Sequence, residues 1–581
     1  MVDDVLRAMA EKIAAGAPEG WRRAELHAFA GDDGWSGYRG VTFESDGRSR
    51  RRSSVSGEGS RRRSPRSVQQ DPESAGDGQA SEHALSDASD DGINMHQELR
   101  ELHELVGATS DHLTIELVVE AKGRYEAVLS EALERDDDGY GFLYVLSPDT
   151  LPAEPGTFQR EPGDLRPTGD PREAVELIGA YLRERDRVLG RDTYAPPPAL
   201  PSAQRSWLEG RLPCRLPDDL RALYALVDGD GGQGLLDQHP WFGLETLENH
   251  SRPENRWWSA GRRWRHHLMS PLITSVGPPQ AVRRLSDHPR WIPFATTTLG
   301  DFLAVDMAPG PGGRPGQVIR MGLHYDDGPV YVADSVTALL RRHVAALRAG
   351  AFRVEEGELL IDLGEQPYEE SRSLRVAGAD ARSLRGLHPG IERLSVTNAP
   401  WVDFASARGA PALLQVTVDN CPGADLAPLR DTPLELLDLA MDGIDLGPLA
   451  GHTTLRMLRL RTERSVDLTP LTSCQRLYGL DLSQAAIADI SVLGELKNLL
   501  YLRLRRVQWE ELWERAGHPA GLAAAGLADE PRRERAWWWS ADRAYHAREP
   551  SLRTAAKWAN DLAGQTADVR FHTGRFTRPR R

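Results

Sequence analysis

Only three cysteines occur in 581 residues, Cys214, Cys421 and Cys474. An odd, scattered set makes neither a disulfide framework nor a metal knuckle, so the thiols are expected as unpaired core residues. No run approaches the roughly 18 consecutive apolar residues that a membrane helix needs. The opening MVDDVLRAMAEKIAAG is acidic and amphipathic where a secretory leader is basic and then apolar, which sets a cytoplasmic expectation. The phosphate-cradle motif G-x-x-x-x-G-K-[ST], the nucleophile elbow G-x-S-x-G, the zinc-protease helix H-E-x-x-H and C-x-x-C are all absent. Asp228-Gly-Asp-Gly-Gly opens like a calcium loop, but Gly232 holds its fifth position and no closing Glu follows, so it reads as a turn. His266 and His267, being adjacent, point in different directions and lack a third ligand. Positive charge is also short: 71 Lys and Arg against 86 Asp and Glu leave a net charge of −15. That balance argues against a general nucleic-acid binder and suits a basic partner. The expectation is a non-enzymatic chain with no cofactor and no metal.

The length predicts about three domains. Val5, Leu6, Met9 and Ile13 make a helical stripe, and the runs Arg22–Ala30 and Tyr38–Glu44 flank a Gly-Asp-Asp-Gly turn as a hairpin does. Composition then shifts. Arg48 to Arg66 holds eight Arg against one Glu, and Asp71 to Asp91 holds seven acids against no Lys or Arg. With hardly an aliphatic side chain to offset ordering entropy, 45–92 is expected to be a disordered insertion. A helix over Met95–Val106 and a strand over Leu113–Glu120 follow, then Gly123–Leu129 as a hairpin partner or a further helix. Trp21, the paired strands, the helix and T-I-E-L-V-V-E-A-K-G-R-Y resemble the YezG-like antitoxin family. A second helix near Ala174–Arg185 completes an α+β domain over 1–190, and the Pro-rich stretch 191–205 reads as a stiff linker.

The next domain, 206–365, centres on Trp291–Leu347. Leu299–Asp306 and Gln317–His324 are strand patterns joined by a Pro/Gly turn, and a helix opens at Asp334-Ser335 with Val336, Leu339, Leu340, His343, Val344 and Leu347 on one side. The order W-I-P, G-D, an alternating strand ending in Asp, G-Q-V-I and D-S before a closing helix resembles the SUKH superfamily. That is the fold of fungal cell-wall-synthesis regulators and of many bacterial immunity proteins. The likeness reaches back to Leu216-Pro217-Asp218-Asp219-Leu220-Arg221-Ala222-Leu223-Tyr224. The residues carrying it are Leu216, Pro217, Trp291, Pro293, Gly300, Asp301, Asp306 and Ser335, which the resemblance implies define the fold and are not catalytic. Trp257, Trp258 and Trp264, in a stretch rich in Trp, His and Arg, either cover the open end of the sheet or meet a partner.

From 366 to 516 the pattern L-x-x-L-x-L recurs, its middle apolar residue at Leu374, Leu394, Val416, Leu437, Leu458, Leu480 and Leu502, spaced by 20 to 22 residues. D-(L/I)-x-P-L segments such as Asp467-Leu468-Thr469-Pro470-Leu471 come between. A fixed period near 22 is the signature of about seven leucine-rich repeats, a solenoid of short parallel strands, and resembles the internalin-like subclass. The usual Asn ladder position holds Ala399, Cys421, Asp442, Glu463, Ala485 and Val507, a departure from that pattern. Strand alternation turns a basic and aromatic cluster outward: Arg459, Arg461, Asp481, Tyr501, Arg503 and Arg505. The tail 517–581 carries twelve Lys or Arg against five acids from Pro531 onward, with Trp537-Trp538-Trp539 and Trp558. It either caps the last repeat or engages single-stranded nucleic acid. The fold class expected is α+β followed by the repeats. The function expected is protein binding, in the manner of an immunity protein occluding a basic toxin such as a nuclease, with a regulatory scaffold as the alternative.

Overall fold

The computed structural model describes residues 1–31, 36–45, 48–50, 93–106, 113–135, 141–190, 195–236, 239–256, 268, 272–296, 300–325, 327–355, 358–364, 372–378, 384, 387–517, 519, 521–528, 551–564 and 568–577. Helices and sheets are mixed, as an α+β chain requires. Two compact units form: Met1–Thr150 with Asp442–Gly451 and Arg459–Arg581, and Leu151–Met441 with His452–Leu458.

The first unit begins with helix Val2–Gly16, which lays Leu6, Met9 and Ile13 on an antiparallel sheet. From Ala24 onward strand Trp21–Ala30 sends alternate residues, Ala24, Leu26, Ala28 and Ala30, into the core with Leu99 and Leu102 of helix His96–Val106. Each fully buried leucine in such a core contributes about 1.5–3 kcal/mol. Gly123–Leu129, ambiguous in the sequence, belongs to strand Arg124–Ser130, paired in register with Leu113–Glu120. Inside 45–92, Arg48–Arg50 adds a short strand to Phe43–Ser45, so the expected disorder does not begin at 45; residues 51–92 lie outside the described residues.

The tail, 517–581, contributes to two sheets: its residues 524–528 lie against strand Tyr501–Arg505, and its far end joins the N-terminal sheet. Strand Val569–Arg575 pairs antiparallel with Arg124–Ser130 over seven positions. That strand buries Tyr125, Ala127, Val128 and Leu129, so its outer backbone groups need a ladder partner, which the tail supplies. The Tyr125 ring lies on Gly574, where a Cβ would sit 2.2 Å from the ring. Ala524–Ala528 is a further parallel strand, in register with Tyr501–Arg505, with Ala525 in place of the middle leucine between Leu522 and Leu527. On its other side Ala524–Ala528 pairs antiparallel with Gly141–Val145. Trp509, fully buried, donates its indole N–H to the Gly526 carbonyl at 3.0 Å and packs against Trp558 of helix Leu552–Ala563.

The second unit is built on a four-stranded antiparallel sheet in the order Val330–Ala333, Gln317–Gly322, Asp301–Asp306, Trp291–Thr296. Pro293 is tolerated because Trp291–Thr296 is the last strand of this order and its register shifts at Pro293. Helix Val336–Ala349 closes the layer, with the sequence-predicted face buried from Val336 to Leu347. Helix Pro171–Leu189, assigned from the sequence to the N-terminal domain, packs here: Ala174, Ile178 and Tyr181 belong to the same core as Trp291 and Leu340. The Pro-rich stretch before residue 206 is likewise tied down, with Pro198 bridged to Val227 and the Asp228 N–H donating to the Pro197 carbonyl. An apolar stripe has no boundary written into it, and here three-dimensional partners decide where it goes.

The same unit carries a stack of parallel strands, Ser373–Ala377, Arg393–Thr397, Gln415–Cys421 and Leu436–Met441. Leu374, Leu394, Val416 and Leu437 stand side by side, as the period demands. The D-x-x-P-L segments form tight turns, each closed by its Asp: Asp425, Asp445 and Asp467 accept the N–H two residues on at 2.8–2.9 Å. Cys421 partly fills the missing ladder position, its Sγ accepting the Ala399 N–H at 3.4 Å.

Candidate docking surfaces

The residues that carry the sequence likeness are core and cap residues of the second unit. Leu216 and Trp291 are buried, and Pro217 precedes helix Asp218–Tyr224. Gly300 adopts φ 81°, open to glycine. Ser335 caps the closing helix by accepting the Ala338 N–H at 3.1 Å. Asp219, next in that helix, accepts from the Thr337 N–H at 3.0 Å and the Thr337 hydroxyl at 2.9 Å, locking two helices together. Asp301 accepts the His324 N–H at 3.0 Å and pairs with the His324 ring at 2.9 Å.

Asp306 is fully buried, cross-strand from Trp291. It accepts the Ala308 N–H and the Gln317 amide, each at 2.8 Å. Burial pushes its carboxyl up to about 7, against the pull of those two donors and of the nearby Arg283. The Trp291 indole N–H is close enough to favour the charged form without reaching hydrogen-bond geometry. In the first unit burial has the opposite outcome at Glu116: it alone would raise the carboxyl, but His27 and Arg135 outweigh it and hold Glu116 below its usual range.

Among the described residues no group of three or more His, Cys, Asp or Glu is placed to hold a metal ion. The candidate partner residues divide. Trp257, Trp258 and Trp264 lie outside the described residues. Arg459, Arg461, Asp481 and Arg505 are half-buried on their strands. Tyr501 and Arg503 correct the expectation of an open outward face, being only 2% and 8% exposed. Gly526 on the neighbouring strand accounts for part of this: its missing side chain lets Arg503 lie flat, a Cβ there falling 2.7 Å from Arg503 Cγ. In the second unit the outward Ser395 and Thr417 remain half-exposed beside the sheet domain. That domain is joined to the strands within the unit by a two-pronged pair, Arg284 to Glu435 at 2.9 and 2.7 Å, and by Arg372, whose guanidinium donates to the Ser275 and Gly277 carbonyls.

Helix Ser202–Glu209 presents a different surface. Ser202, Arg205 and Glu209 face Asp218, Arg221 and Ala225 across an open cavity of about 290 Å³, crossed by the Arg221–Glu209 pair at 2.9 Å. Around the helix, Leu208 points inward while Trp207 is 59% exposed. The sequence reading passed over Trp207, although its place beside the buried Leu208, with Arg211 four residues on, is a legible signal.

Comparisons with known proteins bear on this domain. Residues 202–342 match the SMI1 / KNR4 family (SUKH-1). The chain is similar to the cell wall biosynthesis/cell cycle regulator smi1 of Schizosaccharomyces pombe, 32% identical over 180 residues, which is 29% of this chain and 32% of that protein. It is 30% identical over 210 residues to the glucan synthesis regulatory protein of Neurospora crassa, covering 31% of this chain and 38% of that one. The cell wall assembly regulator SMI1 of Saccharomyces cerevisiae is 45% identical over 49 residues, 8% of this chain and 10% of its own. The chain thus spans about a third of the length of the first two curated relatives. Among solved structures, an internalin of Listeria monocytogenes aligns at 26% identity over 19% of this chain and 35% of its own, with a TM-score of 0.17, too low to carry an argument.

Proposed function

We propose, from the SMI1/KNR4 (SUKH-1) domain that residues 202–342 carry, that this chain is a non-enzymatic protein-binding regulator that neutralises a partner toxin by covering its active surface. The finer reading has the parallel strands as leucine-rich repeats, the N-terminal sheet without helix Pro171–Leu189 as YezG-like, and the site of action as the cytoplasm. One observation carries the proposal: residues 202–342, which match that family, fold as a sheet-and-helix domain around a single core. A net charge of −15 would draw in a basic target such as a nuclease. Co-expression with toxins encoded beside the gene tests this. Restored growth together with a recovered complex is expected; if no such toxin binds or loses toxicity, the proposal falls.

The relatives' names, as cell-wall and glucan-synthesis regulators, favour a second reading, a scaffold for cell-wall or signalling enzymes using the strand face. The double substitution S395R/T417R separates the two. A scaffold acting through that face loses its partner, whereas occlusion through residues 202–342 survives.

A further inference from the structure

An exposed tryptophan is informative where its surroundings hold it still. Trp207 is 59% exposed, and the Arg211 guanidinium lies over its ring, 4.7 Å from the centroid. Arg211 is fixed in turn: its Nε donates to Glu248 at 2.8 Å. Glu248, nearly buried, also takes Arg252 through both oxygens, at 3.0 and 2.8 Å. Arg252 first, and Arg211 with it, hold the Glu248 carboxyl below its usual range in spite of burial. The ring therefore projects from a clamped array, with its orientation already settled before anything binds.

Two properties follow. Trp and Arg are the residues that most often dominate interface energetics, and a side chain already immobilised loses little entropy on contact. The Arg211 side chain, stacked on the ring, is still 40% exposed, so a cation borders the apolar surface of Trp207. The complement to this surface is an apolar socket with carboxylates at its edge.

We infer that Trp207 and Arg211 form an anchor for an acidic, apolar-centred segment of another protein. The inference rests on the reading of the chain as a protein binder and names a partner chemistry for one surface of it. Because the whole chain is acidic, long-range repulsion opposes such a segment. Binding is therefore carried by short-range contact and holds or tightens as salt rises.

The test is selection of a random peptide library on the full-length chain, followed by anisotropy titration of a selected, labelled peptide against variants. Selected peptides should centre on aliphatic residues flanked by Asp or Glu. Trp207→Ala should weaken binding about tenfold or more with the thermal midpoint unchanged, and Arg211→Ala should weaken it as much with a lowered midpoint, because Glu248 loses one of its two guanidinia. Arg211→Lys keeps the charge but loses the planar stack, and should fall between. Peptides rich in Lys or Arg, or peptides that bind all variants alike, would overturn the inference. So would self-association of the chain that Trp207→Ala abolishes, which assigns the surface to a second copy. If no toxin is neutralised while acidic peptides still bind through Trp207, the proposed function fails and this anchor stands; the opposite pair of results removes the anchor alone.

Discussion

Replacing Asp306 with Asn should flatten part of the pH dependence of stability. The folded carboxyl titrates at about 7 against 3.8 for the free group, so the folded state binds the proton more tightly than the unfolded one. The stabilisation is complete below 3.8 and is lost as pH rises from there through 7. Three units at 1.36 kcal/mol each amount to about 4 kcal/mol over the full range, of which about 2.5 kcal/mol falls between pH 5 and pH 8. Asp306→Asn removes the titration. It also sets an amide donor against the Gln317 amide, at a pH-independent cost of about 1–3 kcal/mol. Urea unfolding of both proteins at several pH values checks this, taking the difference between them so that all other groups cancel. The variant should be the less stable at pH 5 and should gain on the wild type by about 2.5 kcal/mol at pH 8. A wild-type-to-variant difference that does not change with pH would refute the reasoning.

Three further outcomes are expected. Asp219→Ala leaves the Thr337 N–H and hydroxyl without their buried acceptor and should destabilise by about 2–4 kcal/mol in urea titration. Asp467→Ala removes the acceptor that closes one repeat turn and should cost about 1 kcal/mol, seen as faster amide exchange confined to the neighbouring turns. Gly574→Ala drives a methyl into the Tyr125 ring, 2.2 Å away. It should cost about 1–3 kcal/mol, read as weaker exchange protection of Val569–Arg575, while an unchanged protection pattern would count against the pairing of that strand with Arg124–Ser130.

Periodic features were the legible part. Leu374, Leu394, Val416 and Leu437 recur at a spacing the chain cannot sustain by chance, and they stand in register. The closing helix was equally plain, because Ser335 and a continuous apolar face mark both its start and its buried side. What the sequence hid was long-range assignment. Helix Pro171–Leu189 shows an apolar stripe but not its partner, and strand Val569–Arg575 pairs with residues more than 400 positions earlier. Ala524–Ala528 escaped because Ala525 stands at the middle position of the pattern, although Leu522 and Leu527 keep the positions on either side. For the docking surfaces, alternation placed Tyr501 and Arg503 on the outward side, but no periodicity reports how deeply an outward residue is covered. Trp207 had a signal in its place beside Leu208 and four residues before Arg211, but the degree of its exposure is set by tertiary packing of the helix that carries it.

Titration of the purified chain into a purified toxin encoded beside its gene, with toxin activity followed alongside binding, tests the central claim most directly. Occlusion predicts a saturable complex in which activity falls in step with occupancy and vanishes at equivalence. A toxin that binds yet keeps its activity at saturation, or that fails to bind at all, contradicts it.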